Sequence, residues 1–160
     1  MFDFSIIRDE WPVYLQGLGT TVWLVGVSLI LGLCIAVPMA LCLNSENRWL
    51  RLPAWAYIYF FRGTPMLVQL FIIYYGAAQW SELRDTWAWH WFQEAWFCAL
   101  LCFSLNTAAY TAEIIRGAIR TTPKGELEAA QAFGMSQWQV IRCILLPSAF
   151  RRALPAYSNE

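Results

Sequence analysis

Three long stretches of the chain carry no Asp, Glu, Lys or Arg: residues 11–45 (35 residues), 63–81 (19) and 95–112 (18). A helix needs about 20 mostly apolar residues to cross a hydrocarbon layer. Three spans are therefore predicted, roughly at 18–43, 56–78 and 95–113. The first gap is longer than one span needs, so 11–17 is expected in the interface. Residues 1–14 read as an external N-terminal interfacial segment, with Phe2, Phe4, Ile6 and Ile7 free to touch headgroups or the bundle; a frayed end is the alternative. MFDFSIIRDE is acidic and is followed by no Ala-x-Ala site, so it is not read as a cleaved signal peptide.

Past residue 113 the pattern becomes compact and amphipathic. Glu113 and Arg116 are three apart, so they share a helix face and can pair. Thr122 fits an N-cap and Pro123 the first helical position. A short helix rich in Ala and Glu is expected over 126–133, stopped by Gly134 in a left-handed C-cap. Ser136 and Gln139 have capping-box spacing. The second helix they open carries Trp138, Val140, Ile141, Ile144, Leu145 and Leu146 before Pro147 interrupts it. A rigid corner ringed by Phe133, Met135 and Trp138 looks built to be gripped by another protein. A helix lying on lipid is the alternative.

Composition agrees with a membrane protein. Apolar residues make up 59% and charged residues 14%, against about 45–50% and 25% in soluble domains. Disorder is excluded, and with zero net charge and no basic stripe a nucleic-acid partner is not expected. The basic residues are distributed unevenly. Arg48, Arg51, Arg116, Arg120, Lys124, Arg142, Arg151 and Arg152 fall on one predicted side, with Arg62 near it; Arg8 and Arg84 fall on the other. The positive-inside rule places the N-terminus outside and 114–152 in the cytoplasm. Five cysteines without a tight CxxC pair, and one histidine, suggest packing residues and no metal site. No Gly-x-x-x-x-Gly-Lys-Ser/Thr loop is present for nucleotide binding.

Glu128-Ala129-Ala130, then Gly134, Ile144 and Leu146-Pro147, at intervals of three, nine and one residues, resembles the EAA motif of ABC importer permeases. Phe61-Arg62-Gly63-Thr64-Pro65 with Leu67-Val68-Gln69-Leu70 looks like the second span of the polar amino-acid permease family. Leu105-Asn106-Thr107-Ala108-Ala109-Tyr110 with Ala112-Glu113 and Arg116-Gly117-Ala118-Ile119-Arg120 is similar to its third-span exit. The resemblance covers residues 15–160 and is nearest to the histidine/arginine/ornithine/opine-type M subunits.

The resemblance implies an all-α polytopic fold, the type-1 ABC transmembrane domain over 15–160, with the chain stopping before the last two of about five spans. It implies a multi-pass subunit of the bacterial inner membrane with no catalysis and no bound cofactor of its own. Expected partners are a cytoplasmic ABC ATPase dimer that uses the ATP, a second permease subunit, identical or homologous, a periplasmic or lipid-anchored binding protein, and a polar amino acid of basic or opine type. Glu128, Ala129, Ala130, Gly134, Ile144, Leu146 and Pro147 would then form the ATPase-coupling stretch.

Physical roles can be set beside that reading. Glu128, early in its helix, can accept backbone N–H groups and fix the corner. Gly134 turns the chain where a side chain would clash. Ala129 and Ala130 permit close approach of another surface. Arg62 either snorkels to lipid phosphates or pairs with an acid in the bundle. Gly63 and Pro65 shape the entry to the second span. Gln69 and Asn106, polar at membrane depth, either bond across the bundle or touch solute. A second function class, an ion-coupled carrier or channel with a protein-docking segment, would need charges at mid-membrane, where only Asn106 and Gln69 stand.

Overall fold

The computed structural model describes residues 10–159, and the fold is all-helical throughout them. Helix α1 spans Trp11–Asn44, opened by Pro12 in its first turn. At 1.5 Å per residue its 34 residues extend about 50 Å, longer than the hydrocarbon core. The expected interfacial stretch 11–17 is thus the first part of the same helix; residues 1–9, including Phe2, Phe4, Ile6 and Ile7, lie outside the described residues. Helix α2 spans Arg48–Gly63, with the Asn47 side chain accepting from the Trp49 N–H at its start. Helix α3, Met66–Gln79, includes a π-helical turn at Ile72–Gly76. Single helical turns at Ser81–Arg84 and Trp89–Phe92 lead to α4, Ala95–Arg120. Helix α5 is Lys124–Ala132, and α6 runs over 137–157.

Among the described residues two helices, α1 and α4, are long and apolar enough to cross a membrane. The second expected span, 56–78, is not straight. Helices α2 and α3 meet at 106°, so they count as a span only as a bent pair. The cause is local: Thr64 is extended because Pro65 follows it, and Pro65 supplies no N–H to continue the ladder.

Packing follows the membrane rule rather than the soluble one. The face α1 turns toward α4 carries Ser28, Gly32, Ala36 and Ala40, four apart and all buried. Opposite them α4 buries Ser104, Ala108, Thr111 and Ala112. Small residues let the two backbones approach closely, which sustains association where no hydrophobic driving force separates lipid from protein. Large apolar side chains such as Leu18, Val22 and Ile30 point outward, each 60% exposed or more. Helix α2 joins this core through Ala54 and Ile58, and the Tyr57 hydroxyl donates to the Leu105 carbonyl of α4 at 2.6 Å. Helix α6 lies on the far end of α4 through Ala118, Ala149 and Ala153.

Candidate functional site

Two constructions stand out: the polar clamp at the α2–α3 bend and the corner between α5 and α6. The bend interrupts backbone hydrogen bonding at membrane depth, where a freed carbonyl has no water to turn to. Gln69, 2% exposed, supplies the missing donors. Its Nε2 donates to the Phe61 carbonyl at 2.7 Å, the Thr64 carbonyl at 2.9 Å and Thr64 Oγ1 at 2.8 Å. Its Oε1 accepts from Asn106 Nδ2 at 3.1 Å, which crosses from α4. Thr64 Oγ1 also donates to the Phe60 carbonyl at 2.9 Å. Gln69 and Asn106 thus bond across the bundle, the first of the two roles expected of them. The amide of Gln69 does for the end of α2 what a C-cap does elsewhere.

Arg62 leaves α2 just before the bend. It forms no ion pair among the described residues; its guanidinium lies 5.2 Å from the centre of the Tyr110 ring. Glu113 instead pairs with Arg116, through Arg116 Nε at 2.8 Å and a second bond from Nη2 that makes the contact bidentate. That fork geometry is strong for a pair on one helix face.

At the corner, Gly134 has φ +76°, the only positive φ among the described residues. The Met135 N–H bonds to the Ala130 carbonyl at 3.2 Å, and the Gly134 N–H to the Gln131 carbonyl at 2.9 Å. This pair of bonds is the Schellman closure. A Cβ at Gly134 would meet nothing within 4 Å, so glycine is required by backbone conformation and not by a crowding neighbour. The side chain of Ser136 accepts from the Gln139 N–H and Gln139 Oε1 accepts from the Ser136 N–H, the reciprocal cap its spacing predicts.

Four local expectations need correction. Thr122 does not cap α5: its hydroxyl bonds back to the Ala118 carbonyl at 3.3 Å, and Pro123 takes the cap position. Glu128 is exposed and accepts no hydrogen bond among the described residues, because the Schellman bonds already close the corner. Ala129 is exposed, whereas Ala130 is 3% exposed and packs inward, so only Ala129 leaves room for another surface. Pro147 does not interrupt α6. A π-helical turn at Ile141–Leu145 widens the helix just before it, and Leu146–Tyr157 continues. Such a turn absorbs the hydrogen bond that proline cannot make. Ile144 and Leu146 are half-buried and Pro147 is exposed on this helix.

Sequence reading missed one connection. Arg152 of α6 reaches Glu126 of α5 at 3.5 Å and donates to the Thr121 carbonyl at the end of α4; Ser148 Oγ donates to Glu126 at 3.3 Å. Their separation of more than 20 residues left no periodic signal. The link holds α5 to the end of α4. Two large apolar side chains stay open to a partner: Phe133 is 88% exposed and Trp138 65% exposed, on either side of Gly134. No cluster of His, Cys, Asp or Glu suited to a metal occurs among the described residues.

Comparison with known proteins places this arrangement. Residues 15–159 match the family model of the binding-protein-dependent transport system inner membrane component. The nopaline transport system permease protein NocM of Agrobacterium fabrum is 47% identical over 159 residues, 99% of this chain and 66% of that protein. The histidine/lysine/arginine/ornithine transport system permease protein HisM of Escherichia coli is 44% identical over 98% of this chain and 69% of its own length. The chain thus spans about two thirds of the length of these curated relatives. The crystal structure of an amino acid ABC transporter with histidines superposes with a TM-score of 0.80 at 31% identity, covering 99% of this chain and 70% of that one. With residues 15–159 matched to the family model and the fold superposed over 99% of its length, this chain belongs to the family of binding-protein-dependent transport system inner membrane components.

Proposed function

We propose that this chain is the permease part of an ATP-driven importer for polar amino acids, of basic or opine type. Residues 15–160 form its transmembrane domain and 114–152 its cytoplasmic coupling segment; the N-terminus faces outward, across the inner membrane of a bacterium. The names of the relatives, permeases for nopaline, octopine and histidine/lysine/arginine/ornithine, support that solute class. A cytoplasmic ATPase pair, a second permease and a binding protein complete the machine, and ATP is used by the ATPase and not by this chain.

The observation that carries the reading is the corner itself. A basic, amphipathic segment presents Phe133 and Trp138 to the outside around a rigid Gly134 turn. Exposed aromatics on a fixed frame are what a partner's pocket grips. The Glu126–Arg152–Thr121 link connects that frame to the end of α4, so movement of the gripped corner reaches the spans. Coupling requires the ATPase to contact the corner differently in its two states. Glu128, Ala129, Gly134, Ile144, Leu146 and Pro147 belong to this handle; Ala130 supports it from inside. Arg62, Gly63, Pro65, Gln69, Asn106, Glu113 and Arg116 shape the path.

Gly134→Val tests the proposal. A β-branched residue held at positive φ costs about 1–2 kcal/mol, so the corner shifts while the spans still insert. In vesicles, uptake should fall at least tenfold while ATP hydrolysis persists. Uptake at the normal rate would refute the coupling role of the corner.

A further inference from the structure

A groove of about 1110 Å³ runs along α2 beside the last part of α4. Five arginines line it, Arg48, Arg51, Arg62, Arg116 and Arg120, with Glu113 as its sole carboxylate among the described lining residues. Arg116 occupies that carboxylate in a bidentate pair. Arg48, Arg51, Arg62 and Arg120 have no acidic partner among the described residues. Guanidiniums outnumber carboxylates five to one along the described lining, and an anion there would relieve the imbalance. The Arg62 stacking on Tyr110 holds one of them in place at the bend.

The groove's other wall decides which anion. Trp55 and Tyr59 stack at 5.2 Å, are 54% and 69% exposed, and line it, and Leu52 beside them is 64% exposed. Next to the basic floor, then, is an apolar and aromatic lip, on the same helix whose first turn carries the exposed Trp49. A free phosphate would use the floor and leave the lip in water. A phospholipid uses both: its phosphate meets planar forks matched to a phosphodiester, and its glycerol and chains lie on the lip. Basic pockets between spans on the cytoplasmic side suit anionic headgroups in this way.

We propose that this groove binds the headgroup of an anionic phospholipid of the inner leaflet, held by Arg48, Arg51 and Arg120. The leaflet rests on the orientation proposed above; the binding does not. The site joins the beginning of the bent pair to the end of α4, so an occupied groove braces both against the segment that leads to the corner.

The test is native mass spectrometry of the intact transporter complex in detergent, titrated with dioleoyl phosphatidylglycerol or with dioleoyl phosphatidylcholine. The variant Arg51→Gln/Arg120→Gln removes two of these three groove charges. The variant Arg142→Gln/Arg151→Gln removes the same charge outside the groove. At about fivefold per basic group, the groove variant should need roughly 25-fold more phosphatidylglycerol for half-occupancy. The outside variant should match the wild type, and Arg51→Lys/Arg120→Lys should recover most of the loss. Equal loss in both Gln variants would overturn the proposal. So would equal retention of phosphatidylcholine, or full displacement of the lipid by millimolar inorganic phosphate, which would mark a free-anion site. A complex that transports normally yet retains no phosphatidylglycerol refutes this inference alone. Lipid held in a groove that labels from the outer face refutes the proposed orientation alone.

Discussion

Gln69 is a single side chain on which the geometry of the bent pair depends, and its removal has a calculable effect. Gln69→Leu keeps the volume and loses the amide. Two N–H hydrogens serve three acceptors within 2.9 Å, so at most two of those contacts are full bonds at once. Without them the Phe61 and Thr64 carbonyls lose their buried donor, and Asn106 loses its acceptor at 3.1 Å. A stranded buried group costs about 1–3 kcal/mol in general, and side-chain bonds between membrane helices measure nearer 0.6–2 kcal/mol. Asn106 Nδ2 already lies 3.5 Å from the Phe61 carbonyl and can shift to cover it in part. Three groups at about 1 kcal/mol each give a loss of about 3 kcal/mol, roughly a hundredfold in the unfolding equilibrium. Asn106→Leu breaks one of these bonds and should cost about 1 kcal/mol. Unfolding of the purified protein from mixed micelles by added dodecyl sulfate, followed by helical circular dichroism, measures both. If Gln69→Leu lies within about 0.5 kcal/mol of wild type, the level of a neutral surface change, the bend is held by something else. The same conclusion follows if Asn106→Leu is as damaging as Gln69→Leu.

The α1–α4 seam offers an opposed pair of glycine substitutions. A Cβ at Gly32 would stand 2.8 Å from Thr107 Cγ2, 3.0 Å from Thr107 Cβ and 3.3 Å from the Ser104 carbonyl. Thr107 is β-branched on a helix and has few rotamers in which to yield, so Gly32→Ala should destabilise by about 1–3 kcal/mol. Gly26 meets nothing within 4 Å, and Gly26→Ala should stabilise by up to about 1 kcal/mol through helix propensity. Equal effects in the same micelle assay would contradict the close approach of the two helices. Cysteine labelling tests orientation: Cys143 is exposed while Cys98 and Cys102 are buried. In single-cysteine versions of the chain, a membrane-impermeant maleimide should reach Cys143 only from the cytoplasmic side and Cys98 and Cys102 from neither. Labelling of Cys143 in intact cells would reverse the proposed topology.

What local sequence determines here is whatever short-range chemistry controls. The uncharged gaps located α1 and α4 because the length and polarity of a span are properties of consecutive residues. Gly134 and the Ser136–Gln139 box were legible because a positive φ and a reciprocal cap each involve neighbours within four residues. Only the tertiary structure decided the rest. Pro65 breaks the helix locally, but the carbonyls freed at the 106° bend are covered by Gln69 and Asn106, up to 45 residues away in sequence. Pro147 read as a stop, yet the helix continues past it through a widened turn. Glu126 met Arg152, Ala130 turned inward, and arginines from two helices converged on one groove. Each of these depends on which helix faces which. Small residues set that facing by letting backbones meet, a property of paired surfaces that no window along one chain contains.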